Sequence, residues 1–186
     1  SMGVDSPLNI VINGKAHEIN VNNVDTLLTV LRDDLGVKSV RGGCDSAQCG
    51  SCTVLLDGKS VKSCSVLALQ ANGRVVVTVD GLAEANRRSS LQNHFSRQHA
   101  LQCGFCTPGM LLKASEYLAQ NLDPDPARIR QQLRGNLCRC TGYQNIVSAI
   151  SLAAIGVDAD HCDSENLSSQ SCRVEDSRLL FGEGTF

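Results

Sequence analysis

The sequence predicts an α+β chain in two unlike halves, a small sheet crossed by one helix and then a compact bundle of about four helices. Three observations carry this reading. Two hairpin dipeptides, Asn13-Gly14 and Asp57-Gly58, punctuate short apolar runs in the first half. Two helix-start pairs, Thr107-Pro108 and Asp125-Pro126, open helical patterns in the second. The 10 cysteines supply two sets of four, one set in each half.

In chain order, residues 8–12 form an apolar strand, Asn13-Gly14 a type I′ turn, and residues 16–21 the return strand. Asp25 is a plausible N-cap for a helix carrying Leu27, Leu31 and Leu35, with Gly36 as its C′ residue. Residues 41–52 are too rich in Gly and small polar residues for regular structure. Residues 53–56 and 59–62 form a second hairpin around Asp57-Gly58. Residues 64–70 make one or two helical turns, and the β-branched run 74–79 is a final strand. The pattern changes near residues 80–88. Helices are then expected over 90–99, over 110–120 behind Thr107 and Pro108, from Asp125 to a stop at Gly135, and over 144–155 up to Gly156. The resulting divisions are 1–82, 83–157 and a tail, 158–186.

Composition narrows the function. The chain has 186 residues, formal net charge −2, 3% aromatic residues and no Trp. Nucleic-acid binding, which wants a basic face and stacking rings, is not expected. No apolar run approaches the length of a membrane span, and no secretory signal is visible, so a cytoplasmic setting is expected. In a reducing compartment, thiols are more often ligands than bridges. No phosphate-loop pattern or nucleophile elbow occurs.

Cys44, Cys49, Cys52 and Cys64 read C-x4-C-x2-C-x11-C, and Cys103, Cys106, Cys138 and Cys140 read C-x2-C-x31-C-x-C. The first spacing is that of plant-type [2Fe–2S] ferredoxins. One loop can place three thiolates around a cluster only if its backbone turns sharply, which Gly42, Gly43 and Gly50 permit. Zinc sites use paired C-x2-C knuckles and often His; this loop has one C-x2-C and no nearby His. The second set lies at the ends of predicted helices. Its spacing alone leaves cluster and zinc both open.

Three segments together are more specific. They are Gly42-Gly-Cys-Asp-Ser-Ala-Gln-Cys-Gly-Ser-Cys-Thr53, Gln102-Cys-Gly-Phe-Cys-Thr-Pro-Gly-Met110 and Asn136-Leu-Cys-Arg-Cys-Thr-Gly-Tyr143. From about residue 8 to 157 the chain resembles the iron–sulfur subunit or domain of the xanthine oxidase family of molybdenum hydroxylases. It is most similar to the separate small subunits of the carbon monoxide dehydrogenase, nicotine dehydrogenase and aldehyde oxidoreductase type, because it ends where a fused enzyme would continue. The resemblance implies a β-grasp plant-type ferredoxin domain followed by a four-helix-bundle [2Fe–2S] domain. It implies an electron-transfer subunit with no substrate site and no catalytic residue of its own. Electrons would pass from a molybdopterin, as a cytosine dinucleotide by analogy, on a large subunit to FAD on a medium subunit or to an external acceptor. The assembly would be a heterotrimer or a dimer of heterotrimers. Carried over residue by residue, Cys103, Cys106, Cys138 and Cys140 would hold the molybdenum-proximal cluster. Cys44, Cys49, Cys52 and Cys64 would hold the distal one. Gln102 and Cys140 would contact the pterin, and the Gly42-Gly43 rim would face the flavin.

Two other readings compete, a stand-alone two-cluster electron carrier and a zinc-stabilised interaction module. Cys162 and Cys172 are surplus to two four-ligand sets and are read as free thiols, with a bridge between them the alternative. His17, His94, His99 and His161 show no ligand spacing and are assigned to surface or packing roles. Arg41 and Arg139, beside cluster ligands, would raise a cluster potential by charge or be solvated or partner-facing; the sequence leaves both open. The tail carries seven acids against two arginines, a composition that is disordered alone and ordered only when docked on this chain or on a partner.

Overall fold

A computed structural model describes residues 5–82, 90–120, 125–156 and 175–185. Cys162, Cys172, His161 and most of the tail lie outside these residues.

Strands β1 (Asp5–Ile12) and β2 (Lys15–Asn22) form the first hairpin. Asn13 and Gly14 both have positive φ, 48° and 81°, as a type I′ turn requires. Leu8, Ile10 and Ile12 alternate inward and are at most 4% exposed, the period of a half-buried strand. The second hairpin joins β3 (Thr53–Leu56) to β4 (Lys59–Lys62). β5 (Val75–Val77) pairs parallel with β1 and antiparallel with β3, giving one mixed sheet of order β2-β1-β5-β3-β4. β5 is shorter than the β-branched run because the Asn13 side chain accepts from Thr78 N at 2.9 Å, and the chain turns there. Where the sequence allows one or two helical turns near Cys64, there are two short 3₁₀ turns, Ser63–Ser65 and Ala68–Ala71.

The crossing helix differs from expectation. Thr26, not Asp25, is the N-cap, its hydroxyl accepting from Thr29 N at 3.2 Å. Asp25 instead accepts from Asn22 N, closing the preceding turn. The α-helical part, α1, is only Leu27–Thr29; a π-helical turn, Val30–Asp34, follows. Leu27 and Leu31 are fully buried under the sheet with Val54, Leu56 and Val76.

The second half has α2 (Ser90–Arg97), α3 (Thr107–Gln120), α4 (Pro126–Gln132) and α5 (Gln144–Ala154). Asp125 caps α4 as expected, accepting from Ala127 N at 3.0 Å, with Pro126 at N1. Thr107 already lies inside α3, since Cys106 O accepts from Met110 N. Gly135 does not stop α4, which ends at Gln132 with Leu133 as its C-cap; its carbonyl lies against Gly50, as described below. Phe95, Leu101, Met110, Leu111, Ile129, Ile146 and Ile150 make the second core, which helix α6 (Asp176–Leu180) completes with Leu180. The end of the tail therefore docks on its own chain. Gln92 Nε2 donates to Leu180 O at 3.0 Å, and buried Asp176 accepts from Ser96 Oγ at 3.0 Å.

Two of the contacts between the halves position the site. All of β3 is buried because one face covers α1 and the other meets α3. Lys113 and Glu116 of α3 reach Ser60 of β4, whose N–H donates to Glu116 Oε1 at 2.9 Å. The second contact joins the cysteine segments themselves. No helix among the described residues is long and apolar enough to cross a membrane.

Candidate functional site

The first cysteine segment runs from Arg41 to Cys52 as an irregular loop, with Asp45, Ala47 and Gly50 at positive φ. This winding points backbone N–H groups inward. Those of Ser46, Gln48 and Cys49 surround the Cys44 sulfur, Cys49 N at 3.4 Å. With the Ser46 hydroxyl as the largest contribution, they bring the Cys44 thiol down to about 6. Cys49 Sγ lies against Gly43, where an added Cβ would sit at 3.1 Å. Cys52 and Cys64 form a second neighbouring pair, and burial pushes the Cys52 thiol up to about 11.

The second set forms from both ends of the helical half. Cys103 and Cys106 bracket a turn whose Gly104 has φ +79° and which runs into the N-terminus of α3. Cys138 and Cys140 precede α5. Cys140 Sγ lies 3.5 Å from Cys103 Sγ, a contact that raises the Cys140 thiol. Cys106 pairs with Cys138. Burial, then the neighbouring Cys138, push the Cys106 thiol up strongly. At Cys138 burial is outweighed by hydrogen bonds from Thr141, whose hydroxyl lies 3.1 Å from the sulfur, and the thiol is lowered.

Three thiol pairs are thus close, Cys52 with Cys64, Cys103 with Cys140 and Cys106 with Cys138, while the Cys44 sulfur accepts from the Cys49 N–H. Among the described residues no three His, Cys, Asp or Glu side chains converge as a single-ion site. A two-iron cluster takes two thiolates on each iron, and its electropositive core takes up their charge. The positive ends of α3 and α5 and the N–H groups around Cys44 favour such a ligated, anionic unit. The residues therefore fit two such clusters.

Several supporting residues carry no signal in cysteine spacing. Tyr143, at positive φ before α5, uses its hydroxyl to accept from Cys138 N at 2.9 Å and donate to Asn136 O at 3.1 Å. Tyr143→Phe is expected to cost about 1–3 kcal/mol through the orphaned buried groups, and to alter the spectrum of the second set only. Thermal melts and low-temperature EPR check this. Asn136, 5% exposed, donates from Nδ2 to Gly50 O at 3.1 Å and Thr53 Oγ1 at 3.2 Å. Leu137 N donates to Cys49 O at 2.8 Å, so the two cysteine segments are hydrogen-bonded directly. Gly50 and Gly109 make that approach possible. A Cβ on Gly50 would lie 2.3 Å from Gly135 O, and one on Gly109 would lie 2.3 Å from Gly50 O. A glycine inside a helix, as Gly109 is, is the sequence signal that was available.

Of the other singled-out residues, Gln102, Cys103, Cys140 and Arg139 are exposed, as are Gly42 and Gly43 on the first loop. Arg41 is buried. His17 is half-buried on β2, His94 buried in α2 and His99 exposed.

Comparison with known proteins agrees with this geometry. Residues 10–78 match the family model of a 2Fe-2S iron-sulfur cluster binding domain, and residues 78–151 match that of a [2Fe-2S] binding domain. The 6-hydroxypseudooxynicotine dehydrogenase complex subunit beta of Paenarthrobacter nicotinovorans is 45% identical over 86% of this chain and 96% of its own length. The nicotinate dehydrogenase small FeS subunit of Eubacterium barkeri is 43% identical over 78% of this chain and 93% of its own. Among solved structures, quinoline 2-oxidoreductase from Pseudomonas putida superposes with a TM-score of 0.78 at 42% identity, covering 83% of this chain and 98% of that one. The aldehyde oxidoreductase from Desulfovibrio desulfuricans superposes with a TM-score of 0.87 at 32% identity, covering 97% of this chain and 21% of that one. With two [2Fe–2S]-binding domains in this order, the chain belongs to the iron–sulfur subunits of the xanthine oxidase family of molybdenum hydroxylases and is an electron-transfer subunit.

Proposed function

We propose that the chain carries electrons from a molybdopterin, as its cytosine dinucleotide, on a large partner subunit to FAD on a medium one. Cys103, Cys106, Cys138 and Cys140 form the entry set, and Cys44, Cys49, Cys52 and Cys64 the exit set. When bound, each [2Fe–2S] cluster takes up and gives back one electron. The observation that carries the reading is the hydrogen bond from Leu137 N to Cys49 O. It joins a ligand of one set to the neighbour of a ligand of the other, so the chain itself supplies a short bonded route between them.

The thiol pair of Cys103 and Cys140 lies at the surface beside exposed Gln102. A partner's cofactor can approach that exposed edge, and Gln102 is the residue assigned to hold it. Gly42 and Gly43 are exposed and add no side chain of their own to the rim of the other set, which suits approach by a flavin. The mixed sheet crossed by α1 supports a β-grasp ferredoxin fold over 1–82. The packing of α2 and α4 on α5, and of α2 and α4 on α3, supports a four-helix bundle over 83–157. The relatives are named as subunits of complexes, which favours an assembly of three kinds of subunit, as one or two copies, over a free shuttle.

Gln102→Ala tests the entry point. In the assembled complex it is expected to slow substrate-driven reduction of the entry set by about tenfold or more while leaving the exit-set EPR signal unchanged. An unchanged rate in stopped-flow measurements removes Gln102 from the route.

A further inference from the structure

We infer that Arg41, which belongs by sequence to the first cysteine segment, positions the second set and raises the reduction potential of the cluster it holds. Arg41 lies three residues before Cys44 but is only 2% exposed, and its guanidinium points away from its own loop into the helical half. Nη1 donates to Gly104 O and, at 3.1 Å, to Phe105 O. These are the two residues between Cys103 and Cys106. The guanidinium carbon also sits 5.8 Å from the Phe105 ring centroid, within cation–π range. One side chain therefore fixes both peptide carbonyls of the C-x2-C turn and caps its aromatic residue.

The charge matters as well as the two hydrogen bonds. Burial lowers Arg41 to about 10, so the group is cationic at neutral pH. Cys103 and Cys106 both favour its charged form; Asp80 adds to this and Arg32 opposes it. The buried cation thus acts electrostatically on the second set. Reduction adds one negative charge to a cluster. A buried, weakly screened cation stabilises that added charge and raises the potential. The exposed rim of Arg41's own loop, at Gly42 and Gly43, is screened by water. Arg41 would thereby make the entry set a better acceptor while clasping it to the exit set.

The inference rests on the assignment of the eight cysteines to two clusters. Its test is an EPR-monitored potentiometric titration of the full chain carrying its clusters, with dithionite as reductant. The second-set signal is identified as the one missing in Cys106→Ser. Arg41→Gln is expected to lower the reduced-to-oxidised ratio of that signal at fixed potential by about tenfold or more, which is about 59 mV for one electron. The first-set midpoint should stay within about threefold on the same scale. Arg41→Lys, which keeps the charge and loses the planar guanidinium, should hold the second midpoint within about threefold.

If Arg41→Gln loses the second signal altogether, Arg41→Lys decides. A second midpoint near wild type supports the inference, and a tenfold fall despite the retained charge overturns it. A second midpoint unmoved in Arg41→Gln, or a first-set shift larger than the second, overturns it while leaving the two clusters intact. Wild-type protein without two signals overturns the cluster assignment and this inference together.

Discussion

Gly50→Ala is expected to destabilise the protein by about 2–5 kcal/mol, a large part of the stability of an ordinary domain. Two costs add. The residue sits at φ +76°, where a Cβ costs about 1–2 kcal/mol. The new methyl would lie 2.3 Å from Gly135 O and 2.8 Å from Asn136 Cα. These are backbone atoms, which cannot swing aside, so overpacking adds about 1–3 kcal/mol. Relief requires the cysteine segments to separate, which breaks the bonds from Asn136 Nδ2 to Gly50 O and from Leu137 N to Cys49 O. Gly14→Ala is the control. It has a similar φ, +81°, but a Cβ there meets nothing within 4 Å, so only the first cost applies. Thermal unfolding followed by cluster absorbance should rank the variants in that order. Equal losses would mean that the seam is not tightly packed.

Cys106→Ser should remove one cluster and spare the other. Iron is expected to fall from about four to about two per chain, with the second EPR signal lost and the first kept. Changing groups that merely support a metal ligand costs about 10–100-fold, so losing the ligand itself should lower turnover of the assembled complex by more than about a hundredfold. Cys106 is the informative choice because it is half-buried against Cys138 and lies between Arg41's carbonyl clasp and the start of α3. Serine keeps the volume and removes the thiolate. Retention of both signals would show that Cys106 is not a ligand.

Much of this arrangement was legible in the sequence, for identifiable reasons. The hairpins at Asn13-Gly14 and Asp57-Gly58 were readable because a type I′ turn demands two positive φ angles that few dipeptides tolerate. The α4 start was readable because Asp125 and Pro126 act within one turn. The grouping of cysteines was suggested by short local spacings, Cys44, Cys49 and Cys52 in one loop and the pairs Cys103 with Cys106 and Cys138 with Cys140. What failed depended on distant partners. Asp25 lost the cap to Thr26 once Asn22 claimed its carboxylate, and the π-turn after α1 has no marker in the residues that form it. Gly135 looked like a helix stop, yet it faces Gly50 across the seam. Arg41 could be placed beside Cys44 by sequence, but its contact with Gly104 and Phe105 exists only after folding. Docking of the tail on this chain or a partner was expected from its composition, but Leu179 and Leu180 as its anchors were hidden.

The most direct test is to measure iron, zinc and acid-labile sulfide in anaerobically purified protein and to record its EPR spectrum after dithionite reduction. About four irons and about four sulfides per chain are expected, with two distinguishable [2Fe–2S] signals. Zinc in place of iron, or a single cluster signal in fresh protein, would contradict the two-cluster assignment.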